Sequence, residues 1–155
     1  MLPVYFAQKA FILEDGRLLA VRRDSADPNA PGRWEVPGGR LETGESLDEQ
    51  LVREVFEETS LQVEPGQPFY VWKWNIRRSE LDEPETIVAI ARLCSAVGGE
   101  LSARRRVEED YLGEMRWVPL ENLGEYDWIP NMLPVLSAFR KYLEDHVRCR
   151  QVAAA

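Results

Sequence analysis

The chain has 155 residues, of which 45% are hydrophobic and 10% aromatic, and its formal net charge is −8. This length and apolar content predict one globular domain, assigned to residues 1–150, with a frayed tail at 151–155. The acidic balance argues against binding to nucleic acid polymers or to anionic membranes. No secretory leader and no run of membrane-spanning length stand in the sequence, so a cytoplasmic location is expected.

Metal sites built on cysteine or histidine are disfavoured by the residue counts. The two cysteines, Cys94 and Cys149, have no partner at a metal-ligand spacing, and His146 is the single histidine. Zinc chemistry and a Ser-His-Asp triad are therefore both disfavoured.

The first predicted elements are strands joined by a hairpin. Apolar and aromatic residues fill positions 4–13, Asp15-Gly16 is a strong hairpin signal, and residues 17–22 form the returning strand. A short strand at residues 34–36 then leads into a turn at residues 37–39, whose two glycines allow a ligand to approach the backbone.

Residues 38–61 predict a loop followed by a short helix. Ser46 stands three residues before Glu49, which is the spacing of a capping box. Five apolar residues share one broad arc of this helix: Leu47, Leu51, Val52, Val55 and Phe56. Glu54, Glu57 and Glu58 are spaced i, i+3 and i+4 on a neighbouring arc, so their carboxylates are expected to converge.

Convergence of three carboxylates favours a bound cation. Like charges at i, i+4 oppose helix formation by roughly 0.2–0.5 kcal/mol per pair, and anions in the last turn face the negative end of the helix dipole. Oxygen ligands with room for retained waters suit Mg²⁺. Arg53 adds a positive fork that can orient one carboxylate. For an isolated E-x-x-E-E pattern, a solvated acidic helix face is the preferred alternative.

The second half of the chain predicts further strands and one long helix. Strands are expected at residues 69–76, 87–97 and 114–118, with a polar, mobile loop at residues 77–86. A short helical turn is expected at residues 121–123.

The last predicted helix begins after Asn131 and ends near Arg148. Pro134 stands in its first turn, where proline is tolerated. The side chains expected on its inner side are Leu133, Val135, Leu136, Phe139, Tyr142 and Leu143. Several strands with one helix in mid-chain and one at the end predict an α+β fold.

The spacing around the acidic helix resembles the Nudix box, the signature of the Nudix hydrolase family. The matching positions are Gly39, Glu45, Arg53-Glu54, Val55-Phe56, Glu57-Glu58 and Leu61. Residues 34–38, just before the box, also resemble the segment that precedes it in the family. Ser60 replaces the second glycine of the pattern, where left-handed geometry favours Gly. The resemblance implies an α/β/α sandwich with a mixed sheet, in which the box forms a loop-helix-loop.

The same resemblance implies a pyrophosphohydrolase that cleaves a nucleoside diphosphate linked to another group. Mg²⁺ is the implied cofactor, with Mn²⁺ as a substitute. Glu54, Glu57 and Glu58 are the implied metal ligands, with the Gly39 carbonyl as a further one. Arg53 would hold a glutamate in place. Glu54 is the first candidate for the base that accepts a proton from water, and a base outside the box is the alternative.

Many family members add an acidic ligand from a later loop. Glu108, Glu109 and Asp110 are the candidates, and Glu109 is selected as the metal ligand. For each of them, a solvated charge run after three arginines is the alternative.

Two segments resemble those that grip the nucleotide in mutator-type Nudix pyrophosphohydrolases, which act on damaged nucleoside triphosphates. They are Arg22-Arg23 and residues 128–135. Asn131 would read the purine edge through its amide, with a plain helix N-cap as an equal alternative. Arg23 and Arg40 are the other predicted substrate-binding residues.

The favoured substrate is a nucleoside triphosphate, split into monophosphate and pyrophosphate. The alternatives are ADP-ribose or another nucleotide sugar, a dinucleoside polyphosphate, or a nucleotide-binding Nudix sensor without turnover. Exposed sheet edges and several tryptophans permit a homodimer.

Overall fold

The computed structural model of the protein describes residues 3–77 and 84–154. In chain order its main elements are β1 (Val4–Glu14), β2 (Arg17–Arg23), β3 (Trp34–Glu35), β4 (Gly38–Arg40), α1 (Leu47–Thr59), β5 (Gln62–Ile76), β6 (Glu85–Gly98), β7 (Leu112–Pro119) and α2 (Met132–Ala154). Two short 3-10 helices occupy Glu108–Asp110 and Leu120–Glu125. Most of the loop predicted at residues 77–86 lies outside the described residues, and its last two residues belong to β6.

The sheet is mixed and centres on β1. Its order is β3-β2-β1-β6-β5, with β4 paired to β1 and β7 paired to β2. β1 runs parallel to β6 and antiparallel to β2 and β4. The hairpin between β1 and β2 turns at Asp15 (φ 50°) and Gly16 (φ 71°), which is the left-handed pair that such a two-residue turn requires. The hairpin prediction is confirmed.

The hydrophobic core lies on both faces of this sheet because neighbouring residues of a strand point to opposite sides. Phe11 belongs to a cluster with Phe139 and Val135 of α2, while the next residue, Ile12, belongs to a cluster with Leu51 and Val55 of α1. One helix therefore packs on each face, which confirms the α+β class and the α/β/α sandwich. Within the described parts of the chain, no helix has an apolar stretch long enough to cross a membrane.

Three predicted boundaries are wrong. Residues 38–40 form β4 against β1 rather than a free turn, because Gly38 and Gly39 pair with Lys9 and Gln8. β5 begins at Gln62, directly after α1, and accommodates its prolines through register shifts against β6. α2 continues to Ala154, whereas the helix was predicted to end near Arg148.

The inner face of α2 also differs at its first turn. Leu133 is 58% exposed, whereas the preceding residue, Met132, is fully buried in the α2 cluster. The helix begins at Met132, and its backbone N–H donates to Ile129 O at 2.8 Å. The predicted inner residues Val135, Leu136 and Phe139 are buried as expected, so the difference is confined to the first turn.

Candidate active site

The loop that precedes α1 is fixed to the helix by the predicted capping box. The Glu49 N–H donates to Ser46 Oγ at 3.1 Å, and the Ser46 N–H donates to Glu49 Oε2 at 2.8 Å. Both donors would otherwise lack a partner at the start of the helix. The capping box is thus confirmed, and it sets where α1 begins.

The other end of α1 is closed by Ser60 in the left-handed conformation (φ 62°, ψ 9°). Its N–H donates to Phe56 O at 2.9 Å, and its hydroxyl donates to Ser102 O at 3.1 Å. Ser60 therefore occupies the position at which the family pattern has glycine, with the conformation that favours glycine.

A cleft of about 1220 Å³ opens above this helix and β4. Six of the predicted site residues line it: Arg23, Gly39, Arg40, Glu54, Glu58 and Asn131. Arg53, Glu57 and Glu109 are not among its lining residues. The structure thus brings most of the predicted site together from strands β2 and β4, helix α1 and the segment before α2.

Glu54 and Glu58 lie against the glycines of β4. The Gly38 N–H donates to Glu58 Oε2 at 3.3 Å. A Cβ atom at Gly39 would lie 2.4 Å from Glu54 Cδ, so any side chain there would displace this carboxylate. Burial raises the pKa of Glu54, and it raises the pKa of the more deeply buried Glu58 well above its usual range.

Arg53 holds the glutamates of the box from the outer side of the helix. Its Nε donates to Glu45, and its Nη1 donates to Glu54 Oε1 at 3.0 Å and to Glu57 Oε2 at 3.3 Å. The hydrogen bond from Arg53 keeps the pKa of Glu45 below its usual range. The side chain of Glu57 is half exposed and does not line the cleft.

Two of the three carboxylates that were expected to converge line the cleft. Among the described residues, no three histidine, cysteine, aspartate or glutamate side chains gather as a metal-binding group. Glu54 and Glu58 face the cleft, whereas Glu57 pairs with its i−4 neighbour Arg53. The donors that do meet there, two carboxylates and the Gly39 carbonyl, are all oxygens, which fits a hard divalent cation.

Of the three candidates in the later acidic loop, only Asp110 lines the cleft. Glu109 is exposed, while the adjacent Asp110 lines the cleft. The loop is tied to α1 by Arg106, whose Nε donates to Glu58 O at 2.7 Å and whose Nη1 donates to Gly113 O at 2.6 Å. Within the loop, the Val107 N–H donates to Asp110 Oδ2 at 2.9 Å.

Sequence reasoning missed a buried charge network on the floor of the cleft. Lys9 Nζ donates to Glu35 Oε1 at 3.3 Å, and Arg23 Nη1 lies 3.6 Å from the same oxygen. Arg23 Nε also donates to Asp27 Oδ2 at 2.5 Å. The available signal was Gln8-Lys9, two polar residues in the middle of an apolar strand.

The predicted base-reading segment lies at the far end of the cleft. Trp72 Nε1 donates to the Asn131 carbonyl at 2.9 Å, which fixes the backbone just before α2. Asn131 lines the cleft beside Trp74 and Ile129. Arg40 pairs with Glu85 at 3.2 Å, and its guanidinium lies 4.2 Å from the ring centre of Tyr5.

A mixed sheet between two helices, with an acidic helix packed against a glycine strand, defines the class of protein to which this chain belongs. A family model described as the NUDIX domain matches residues 7–139. The chain therefore belongs to the NUDIX domain family, as the resemblance implied.

Three curated relatives are similar to this chain over part of their length. A MutT-like protein of Streptomyces ambofaciens is 43% identical over 57% of this chain and 49% of that protein. A putative 8-oxo-dGTP diphosphatase of Bacillus subtilis is 39% identical over 35% of each chain. An ADP-ribose pyrophosphatase of Methanocaldococcus jannaschii is 28% identical over 73% of this chain and 63% of that protein. The chain thus spans less than two thirds of each relative.

A solved structure matches the whole fold. The MutT protein from Methanosarcina mazei Go1 superposes with a TM-score of 0.65 at 27% identity, and the match covers 96% of each chain.

Proposed function

We propose that the protein is a Mg²⁺-dependent pyrophosphohydrolase that splits a nucleoside triphosphate into a nucleoside monophosphate and pyrophosphate. The observation that carries the proposal is the pair Glu54 and Glu58, which is held against the Gly38-Gly39 strand at the wall of the large cleft. Ligand pockets commonly measure about 300–1,000 Å³, so this cleft has room for a nucleotide.

The charges of the cleft support a cation-dependent reaction. Its acidic lining residues are Asp27, Glu35, Glu54, Glu58, Asp110 and Asp127, and its basic ones are Lys9, Arg23, Arg33, Arg40 and Arg77. With six acidic and five basic side chains, the lining of the cleft does not attract a polyphosphate by itself. A divalent cation supplies the missing positive charge locally.

Glu54, Glu58 and the Gly39 carbonyl would hold Mg²⁺, or Mn²⁺ in its place. Glu57 stays a predicted ligand, and Asp110 replaces Glu109 as the candidate from the later loop. When bound, the ion neutralises phosphate oxygens and acidifies a coordinated water. Arg53 would hold Glu54 and Glu57 in place.

Glu54 is the candidate base. Arg53 donates to its Oε1 at 3.0 Å and so holds the carboxylate in a fixed position. Burial raises the pKa of this carboxylate in the metal-free chain. A base outside the box is the alternative.

The triphosphate is bound, in this proposal, between the arginines and the segment before α2. Arg23 and Arg40 are each held by acidic partners, Asp27 and Glu85, and a guanidinium has further N–H groups for phosphate oxygens. Asn131 would read the base edge beside Trp74. The likeness to a putative 8-oxo-dGTP diphosphatase supports a nucleoside triphosphate.

ADP-ribose, or another nucleotide sugar, is the second candidate, and the likeness to an ADP-ribose pyrophosphatase over 73% of the chain favours it. A screen of nucleoside triphosphates, nucleotide sugars and dinucleoside polyphosphates with Mg²⁺ and Mn²⁺, with products identified by mass, separates the candidates. We expect monophosphate and pyrophosphate from a triphosphate. Thermal stabilisation by a nucleotide without any product would indicate a sensor instead.

Substitution of the box glutamates tests the assignment directly. We expect Glu58→Gln and Glu57→Gln each to lower kcat roughly a hundredfold or more, because each removes a carboxylate that is proposed to hold the ion that neutralises the phosphate oxygens. Initial rates at saturating Mg²⁺ measure this. Glu121→Gln, at an exposed position outside the cleft, is the matched control. Unchanged turnover in both box variants would remove these glutamates from the mechanism.

A further inference from the structure

Two glutamines that the proposed reaction does not use are fully buried beside the site. Gln8 on β1 and Gln50 on α1 are each 0% exposed. A buried amide is tolerated only when its donors and acceptors are satisfied. The partners of these two amides therefore indicate what they hold in place.

The two amides form a chain that ends on the Gly39 carbonyl. Gln50 Nε2 donates to Gly39 O at 2.7 Å. Gln8 Nε2 donates to Gln50 Oε1 and to Leu47 O, both at 2.6 Å. The direction of both Gln50 bonds is fixed, because exchanging its nitrogen and oxygen would place two acceptors, or two donors, against each other.

This series of hydrogen bonds connects β1, β4 and α1, which no covalent bond holds together at this point. Gln8 pairs with Gly39 in the register of β1 and β4, and Gln50 lies in the first turns of α1. Arg92 of β6 extends it, with Nη1 at 3.4 Å from Gln8 Oε1 and at 2.6 Å from Asp48 Oδ1. The peptide after Gly39 is thereby held by β1 through the strand pairing and by α1 through Gln50.

We propose that Gln50 is a positioning residue for the metal centre: its amide holds the Gly39 peptide in place, and Gln8 fixes Gln50. The Gly39 carbonyl accepts from Gln50 Nε2 and, in the β1–β4 ladder, from the Gln8 backbone N–H. The Glu54 carboxylate packs directly against Gly39, so the position of this peptide sets where the proposed metal ligand Glu54 lies. This inference rests on the proposed function.

The test measures Mn²⁺ binding to the nucleotide-free protein by calorimetry. Gln50→Met keeps the length of the side chain but removes both hydrogen bonds. We expect its Mn²⁺ affinity to fall about tenfold or more, which is the usual effect of losing a group that orients a metal ligand. At saturating metal, KM for the nucleotide should change less than about twofold.

Val55→Ala is the matched control. Val55 is buried on the same helix, in the α1 core cluster, so its truncation lowers stability without touching Gly39. Its Mn²⁺ affinity should equal that of the wild type. An equal loss of affinity in both variants would mean that Gln50 only stabilises the fold, and would overturn the inference.

The remaining outcomes separate the inference from the proposed function. If the wild type binds Mn²⁺ and Gln50→Met binds it with the same affinity, the positioning role is overturned and the hydrolase assignment stands. No Mn²⁺ binding by the wild type would remove the metal centre itself, and with it the inference. If Gln50→Met fails to fold, Gln8→Met is measured in its place, and the same loss of affinity is expected.

Discussion

At the residue scale, Glu58 is the carboxylate whose ionisation the fold opposes most. It is 8% exposed, and both Glu35 and Glu54 add to the effect of burial, while Lys9 opposes it. A carboxylate in such surroundings favours protonation unless a cation is near. The site is therefore built at the expense of stability, which is a common property of functional residues.

The pH dependence of stability tests this reading. The pKa of Glu58 is raised in the folded chain from an ordinary value of 4.5, so the folded state binds more protons. The contribution of Glu58 to the free energy of unfolding is fully present below pH 4.5 and is lost as the pH rises through the pKa of the folded chain. We expect Glu58→Gln, in chelator, to be more stable than wild type at pH 8, with a smaller difference at pH 5. Urea denaturation at both pH values measures it.

Glu57→Gln is the control for that experiment, because the Glu57 side chain is half exposed and lies outside the cleft. It should not reproduce the pH-dependent gain. An equal gain in both variants would show that relief of net negative charge, and not burial of Glu58, is the cause.

Asn131 carries the prediction about the base. If its amide reads a purine edge, Asn131→Ala should raise KM for purine nucleotides by roughly two- to tenfold, which corresponds to one net hydrogen bond. Pyrimidine nucleotides should be affected less. Steady-state kinetics with paired substrates measure the difference, and Asn122→Ala, at a position outside the cleft lining, serves as control. Equal effects on both classes would leave Asn131 as a plain helix N-cap.

At the scale of the element, α1 is defined by its two ends. The capping box at Ser46 starts it, and the left-handed Ser60 stops it before β5. Arg53 and Gln50 project from its two sides and hold the loop and β4, respectively. The helix therefore carries Glu54 and Glu58 towards the cleft and Leu51 and Val55 towards the core.

Ser60 separates backbone strain from side-chain bonding. Ser60→Ala keeps the strain of a Cβ in left-handed geometry and loses the bond to Ser102 O, so unfolding should become easier by about 0.5–1.5 kcal/mol. Ser60→Gly loses the same bond but relieves the strain. We therefore expect the glycine variant to be the more stable of the two by urea denaturation. The reverse order would mean that the left-handed conformation carries little strain here.

At the scale of the whole molecule, the sandwich places α1 and α2 on opposite faces of the sheet, and the cleft is lined by residues of α1 and of the segment just before α2. The described chain thus brings the box and the segment before α2 to one side. β5 lies at one end of the sheet order, and Val71 on it is 60% exposed. A homodimer through such an edge stays a prediction.

Metal binding should stabilise the whole domain. A cation that binds only the folded chain contributes about 2.7 kcal/mol at a hundred times its dissociation constant, or roughly 5–11 °C in Tm for a domain of this size. Thermal scans with Mg²⁺, compared with NaCl at equal ionic strength, measure the effect. Salt alone screens the net charge of −8. The increase in Tm with Mg²⁺ beyond that with NaCl should vanish in the double variant Glu54→Gln/Glu58→Gln. If it persists there, the cation binds elsewhere.

The sequence by itself determined the features that depend on a few consecutive residues. The hairpin at Asp15-Gly16, the capping box and the left-handed helix end at Ser60 were all predictable, because turn and cap geometry is set by local backbone and side-chain chemistry. The fixed spacing of the box also identified the family and three of the residues that line the cleft, Gly39, Glu54 and Glu58.

Only the tertiary structure decided how side chains from distant segments are oriented. Lys9 meets Glu35 across 26 positions, and Gln8 meets Gln50 across 42. Whether Glu57 faces the cleft or Arg53, and whether Asp110 or Glu109 reaches the site, depends on such contacts and not on spacing. Burial and hydrogen bonding between elements set these directions, because they arise only once the strands are paired and the helices are packed.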